Sequence, residues 1–289
     1  MYLKFWGTRG SIPVPGNKTI KYGGNTPCVE LRTDNNNIFI LDAGSGIREL
    51  GKHLKEEDFR KDITILLTHY HWDHIQGIPF FLPLYSEQNK IIFIGEGNKE
   101  RSIETLLSGQ MDDHYFPVKI NQVKSRIEFE NISSGNLRIF DDIELQAIRA
   151  NHSSPALAFK IQVSGKSIVY MPDNELIKES LNLSHSFAGL KNLNAELIHF
   201  CKDCDYLIHD TFYDENNAST KKGWGHTSNS ILAYFSILAN VKNLILFHFN
   251  PDYDDNKMDE IYKETFKIIK NEKSNVICVA ATEGLRLDI

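Results

Sequence analysis

The sequence predicts an α/β fold, one domain over residues 1–289, in which two sheets stack face to face with helices on the outside. Three observations predict it. Apolar strand-like runs open each half of the chain and helical patterns follow them. No long linker, low-complexity stretch or short-period repeat separates the halves. A chain of 289 residues with 41% hydrophobic content is also long enough to bury a large core.

Taken in order, YLKFWG, TPCVELRT and NIFILDAG are strand-like, and the last ends in a Gly/Ser turn that opens a helix through about Leu54. DITILLTH reads as a buried strand. HIQGIPFFLPLY reads as a short helix punctuated by prolines, KIIFIGEG as a strand and residues 101–109 as a helix. Residues 110–136 are less regular, with PVKI and SRIEFE as short strands. From Ile143 to Met171 the runs IELQAIRA, ALAFKIQV and KSIVYMPD have strand composition, and the SGK turn joins the last two as a hairpin. LNAELIHFC is then a helix, DYLIHDTF a strand, SNSILAYFSILAN a helix and NLILFHF a strand. MDEIYKETFKIIKN is the last helix, and NVICVAATEGLRLDI returns to strand.

Composition excludes several classes. No stretch approaches the apolar length of a membrane span. MYLKFWGTRGSIP lacks a basic segment followed by an apolar core and a cleavage site, so no secretory signal is read and a cytoplasmic location is expected. The formal charge of −6 argues against an extended basic surface for nucleic acid. Cys28, Cys201, Cys204 and Cys278 are too scattered for a disulfide framework. CKDC at 201–204 has no second CxxC to close a four-sulfur zinc site, and its thiols read as helix-end residues beside a strand.

The informative stretch is LLTHYHWDHIQG, residues 66–77, where an apolar strand ends in three of the chain's 11 histidines and an aspartate. His69 and His71 are two apart, so at an extended strand end both side chains leave on one side and converge on one ion. Asp73 and His74 follow a turn away and suit a neighbouring ion. Imidazole nitrogen and carboxylate oxygen match zinc and similar divalent metals. Clustered imidazoles without an ion would repel on protonation and leave buried polar atoms without partners.

HYHWDH resembles the signature of the metallo-beta-lactamase-fold hydrolases. The resemblance implies a four-layer αββα sandwich and supplies the remaining ligands: His152 in RANHSSPALAF, Asp173 in KSIVYMPDN and His248 in NLILFHFNP. It implies His69, His71 and His152 on one ion, Asp73, His74 and His248 on the other, and Asp173 with a hydroxide between them. Zinc is the expected metal, with manganese as the alternative.

The segment 205–253 resembles the phosphodiesterase branch of that fold, which includes the tRNA 3′-processing endonucleases (tRNase Z-like) and the bacterial and phage cyclic nucleotide phosphodiesterases. In that branch an acid at a strand end precedes a GHS/T helix start, here Asp210 and His226 in GWGHTS. Phosphodiester hydrolysis needs a proton for the departing alkoxide, which a histidine near the metals supplies and a carboxylate orients. The resemblance thus makes His226 the general acid and Asp210 its partner, with Asp73 completing the catalytic group. Trp224 offers a flat face for a base.

WGTRGSIPVPG, YGGNTPCVEL, GQMDDHYFPV, GWGHTS and FHFNPDYDD are similar, in order and from about Leu3 onward, to the cyclic nucleotide phosphodiesterase group that includes the phage anti-Pycsar (Apyc-like) enzymes. Phe249 and Asn250 stand where that group often has histidine and aspartate, outside the ligand positions. GTRGS lacks the GK[ST] ending of a P-loop and reads as a turn from which Arg9 meets a phosphate. His114 lies in an irregular segment that caps the pocket or reaches a twofold-related subunit. The expectation is therefore a dinuclear phosphodiesterase acting on a small cyclic nucleotide, working as a homodimer. The alternatives are an RNA 3′-end endonuclease, against which stands the lack of a Gly/Pro-rich basic insertion, and a non-catalytic metal-binding nucleotide sensor.

Overall fold

The computed structural model describes residues 1–98, 100–140, 143–177, 186–218 and 220–289. The chain forms two compact units, Met1–Ser133 with Thr282–Ile289, and Ser134–Ala281.

The first unit is built on strands β1 (Tyr2–Gly7), β2 (Cys28–Arg32), β3 (Ile38–Leu41), β4 (Ile63–Leu66), β5 (Lys90–Gly95) and β6 (Arg126–Asn131), with helices α1 (Ile47–Glu56), α2 (Trp72–Ile75) and α3 (Ile103–Gln110). β1, β2 and β3 pair antiparallel, whereas β3 through β6 run parallel. Every residue of β3 and β4 is buried, as expected of parallel strands covered on both faces. Ile38, Ile40, Ile63, Ile65, Ile91 and Phe93 from three neighbouring strands pack with Ile47, Leu50 and Leu54 of α1. These three helix residues recur at the spacing of one helical face, so α1 forms because burying that stripe, at about 1.5–3 kcal/mol per side chain, outweighs its ordering.

The second unit contains β7 (Leu137–Phe140), β8 (Ile143–Arg149), β9 (Leu157–Val163), β10 (Lys166–Met171), β11 (Tyr206–Asp210), β12 (Asn243–Phe247) and β13 (Ile277–Ala280). Its helices are α4 (Ser186–Leu193), α5 (Ala195–Cys201), α6 (Glu215–Ala218), α7 (Asn229–Leu238) and α8 (Asp255–Asn271). β7 through β10 are antiparallel and β10 through β13 parallel. α8 starts where the Asp254 side chain accepts from the Lys257 backbone N–H, and it buries Met258, Ile261, Thr265 and Ile269 along one face. A last strand, β14 (Arg286–Asp288), returns to the first unit and pairs antiparallel with β1.

Three local readings change. PVKI is not a strand; Ile120–Gln122 form a 3₁₀ turn instead. HIQGIPFFLPLY is not one helix, because Pro79 and Pro83 each restart the chain as a separate 3₁₀ turn, Ile78–Phe80 and Leu82–Tyr85. β7 was not expected. Three of its four residues are exposed, so it lacks the alternating burial that marks a strand in sequence and exists through pairing with β8.

Among the described residues no helix is long and apolar enough to cross a membrane. All four cysteines are free and buried. Burial pushes the thiols of Cys204 and Cys278 up to about 12 and raises Cys28 and Cys201 as well. Cys201 closes α5 and Cys204 lies just before β11, the helix-end arrangement expected. None of the four should react with a disulfide reagent on the minute timescale at about pH 8 until the protein is unfolded. A fast-titrating native thiol would contradict this.

Candidate functional site

In α/β sheets, chemistry gathers beyond the carboxyl ends of parallel strands. In the first unit β3 and β4 are parallel neighbours, so the residues just after each lie side by side. Asp42 follows β3 in a left-handed conformation, φ 58°. Thr68, His69, His71, Asp73 and His74 follow β4 and enter α2. Asp42 Oδ1 accepts from the Thr68 backbone N–H at 2.8 Å and lies 3.0 Å from the Thr68 hydroxyl.

The same carboxylate holds the imidazoles. Asp42 Oδ2 is 2.7 Å from His74 Nδ1, and the Thr68 hydroxyl is 3.1 Å from His69 Nδ1. With Nδ1–H donated in each case, Nε2 of both rings carries the lone pair, the form in which imidazole binds a metal. The rings of His69 and His71 are 4.5 Å apart and those of His69 and His74 4.2 Å apart. Asp73 Oδ2 lies 3.3 Å from His74 Nε2 and accepts from the Ser11 backbone N–H at 2.7 Å. The backbone fixes this loop too: Ala43 N–H donates to the His74 carbonyl, and a Cβ on Gly44 would lie 2.2 Å from the Asp73 carbonyl oxygen. Only glycine lets the turn after β3 approach so closely.

In the second unit the parallel order β10, β11, β12 aligns three more strand ends. Asp173 follows β10, Asp210 closes β11 and His248 follows β12 with φ 53°. Asp173 Oδ2 is 3.3 Å from His248 Nε2, and donor atoms of Asp173, His226 and His248 lie within 4.8 Å of one another. His226 precedes α7. Its Nδ1 is 3.3 Å from Asp210 Oδ2 and 3.5 Å from Asp173 Oδ1.

Phe212 stacks on the His226 ring, centroids 4.1 Å apart and planes within 10°. Asp210 is fully buried and its Oδ2 also accepts from the Thr227 backbone N–H at 2.9 Å. His152 lies in the connection between β8 and β9, with Nδ1 3.2 Å from the Gly225 carbonyl. Burial lowers its pKa, outweighing the nearby Asp173 charge, so the ring stays neutral over a wider pH range and is available as a ligand. The donor set therefore fits divalent metal: imidazoles grouped with carboxylates, those of His69, His74 and His152 held at Nδ1.

The expected substrate-binding residues are Arg9, His114 and Trp224. Arg9 is fully buried in the first unit and its Nε donates to the Gly23 carbonyl at 2.8 Å. His114 is exposed, 2.7 Å from Asp112 Oδ1, and its backbone N–H and ring hold the Asp112 carboxyl below the usual range. Trp224 is 57% exposed, with the Lys221 ammonium 4.2 Å over its ring. Sequence reading missed Asp42, Thr68 and Phe212. The signal for Asp42 was present in ILDAG, an aspartate closing an apolar strand like those in YMPD and LIHD.

The sequence matches the family described as the beta-lactamase superfamily domain over residues 37–249. The Ribonuclease Z of Sulfurisphaera tokodaii is 26% identical to it, the alignment covering 91% of this chain and 94% of that protein. Among solved structures, the metallo-beta-lactamase fold protein YhfI from Bacillus subtilis superposes with a TM-score of 0.70 at 16% identity, covering 99% of this chain and 98% of the other. Unliganded yeast PDE1 gives 0.67 at 15% identity, covering 100% and 99%. Likeness at that level shows the fold: two mixed sheets with flanking helices, as in the metallo-beta-lactamases.

Proposed function

We propose that this chain, which belongs to the beta-lactamase superfamily, is a metal-dependent phosphodiesterase that opens the 3′,5′-cyclic phosphodiester of a small nucleotide with His226 as general acid. The observation that carries this reading is the His226 environment: a buried carboxylate, Asp210, at Nδ1 and an aromatic face, Phe212, stacked on the ring. The residues that would hold divalent metal are His69, His71, Asp73 and His74 in the first unit and His152, Asp173 and His248 in the second. Divalent metal held there would supply Lewis acidity toward the phosphoryl oxygens and would lower the pKa of water.

The chain's own residues supply the rest. Asp42 and Thr68 orient His74 and His69, and the Gly225 carbonyl orients His152. Asp210 stabilises the imidazolium of His226, whose Nε2 proton passes to the departing alkoxide. Phe212 keeps the ring from rotating away. Trp224 stacks against the base, so Trp224→Ala should raise KM on the order of tenfold with kcat within about threefold, read by steady-state kinetics on a cyclic nucleotide. An unchanged KM would remove Trp224 from substrate binding.

A second reading, RNA 3′-end processing, is favoured by the similarity to proteins named Ribonuclease Z. The net charge of −6 favours the small substrate over a long polyanion. Incubating metal-loaded protein with the cyclic mononucleotides and with a precursor tRNA separates the readings. Consumption of a cyclic nucleotide is the expected result. Cleavage of precursor tRNA alone would establish the second reading, and no turnover with zinc, manganese or cobalt would leave a metal-binding nucleotide sensor.

A further inference from the structure

We infer that Glu175 is a positioning residue that latches the Gly-Trp-Gly loop and, through it, sets the orientation of His152 and His226. The inference rests on the roles proposed above for these two histidines. Glu175 lies two residues after Asp173, and its carboxylate accepts from two backbone N–H groups of one short loop: Gly223 at 2.8 and 2.9 Å and Gly225 at 3.0 Å. Within the loop the Trp224 backbone N–H donates to the Lys221 carbonyl at 3.2 Å. Gly223 and Gly225 both adopt left-handed conformations, φ 84° and 83°, and Trp224 between them is exposed. Such a Gly-rich segment is mobile unless its backbone donors are engaged.

The consequences of the latch reach two functional rings. The carbonyl of Gly225 is the partner of His152 Nδ1, and a Cβ at Gly225 would lie 2.1 Å from that same nitrogen. Gly225, whose N–H Glu175 latches, is therefore the residue against which His152 rests. His226 is the next residue in the chain. On the other side, the Glu175 backbone N–H donates to the Asn151 carbonyl at 2.7 Å, and the Asn151 side chain donates back to the Glu175 carbonyl at 3.3 Å. Glu175 thus ties the residue before His152 through its main chain and the peptide beside His152 through its side chain. A carboxylate suits this position because two oxygens accept from several amides at once, and charge-assisted bonds of this kind are the stronger ones.

The experiment labels the protein with 5-fluorotryptophan, which reports separately on Trp6, Trp72 and Trp224 by ¹⁹F NMR, Trp224 being assigned by its loss in Trp224→Phe. In Glu175→Ala the Trp224 resonance should sharpen and shift toward that of a solvated indole while those of Trp6 and Trp72 stay in place, and metal affinity should fall on the order of tenfold through the released His152. Glu175→Gln, which keeps one acceptor oxygen, should lie between wild type and Glu175→Ala in both readouts. An unmoved Trp224 resonance in Glu175→Ala would overturn the inference, as would a common shift of all three resonances, which marks general loosening. The resonance test needs no turnover, so a wild-type protein inert toward every phosphodiester would defeat the proposed function and still leave the latch decided.

Discussion

His226→Ala should keep its metal and lose turnover by about 10²–10⁴-fold, the range associated with removing a positioned general acid. The geometry behind the expectation is the contact with Asp210 at 3.3 Å and the stacked Phe212 ring, which together hold the imidazole in one orientation. The size of the loss should depend on the substrate. A poor alkoxide leaving group needs the proton, whereas a nitrophenolate leaves without it, so the variant should recover most of its rate on a bis-nitrophenyl phosphodiester. Full activity on a substrate with a poor leaving group would reject the assignment. Because donor atoms of Asp173, His226 and His248 lie within 4.8 Å of one another, metal content is the second readout. Loss of an ion in His226→Ala would make His226 a ligand rather than an acid.

Asp173→Ala should lose metal as well as activity. Asp173 is buried and stands 3.3 Å from His248 and 3.5 Å from His226, so it faces both imidazoles. Removing it takes away a carboxylate that faces both rings and the negative charge that would offset divalent cations held nearby. Elemental analysis after purification should fall from about two ions per chain to one or fewer, with turnover below detection. Two tightly held ions in this variant would remove Asp173 from the ligand set.

Much of the architecture was legible beforehand, and for a local reason. Strands such as IFIL and NLILF announce themselves by their nearly continuous apolar composition, and α8 by its stripe from Met258 to Ile269. The segments that escaped depend on something other than local pattern. β7 exists by pairing with β8, and the stretch Ile78–Tyr85 breaks into two turns at its prolines rather than completing a helix. PVKI has strand composition but no sheet neighbour among the described pairings, so nothing recruits it.

The site divides along the same line. His69, His71, Asp73 and His74 could be read from spacing, since two and three residues of separation at a strand end hold side chains together whatever the rest of the chain does. The partners of Asp42, Phe212 and Glu175 could not, even where a strand-end aspartate such as Asp42 stands out, because each acts on a residue well removed along the chain. Asp42 meets His74, 32 positions away, only because β3 and β4 are parallel neighbours. Glu175 reaches Gly223, 48 positions away, across a loop that composition describes merely as flexible. Short-range order is carried by the steric and apolar preferences of adjacent residues. The groups that hold and tune the histidines are brought to them by strand pairing, which joins segments that no local preference links.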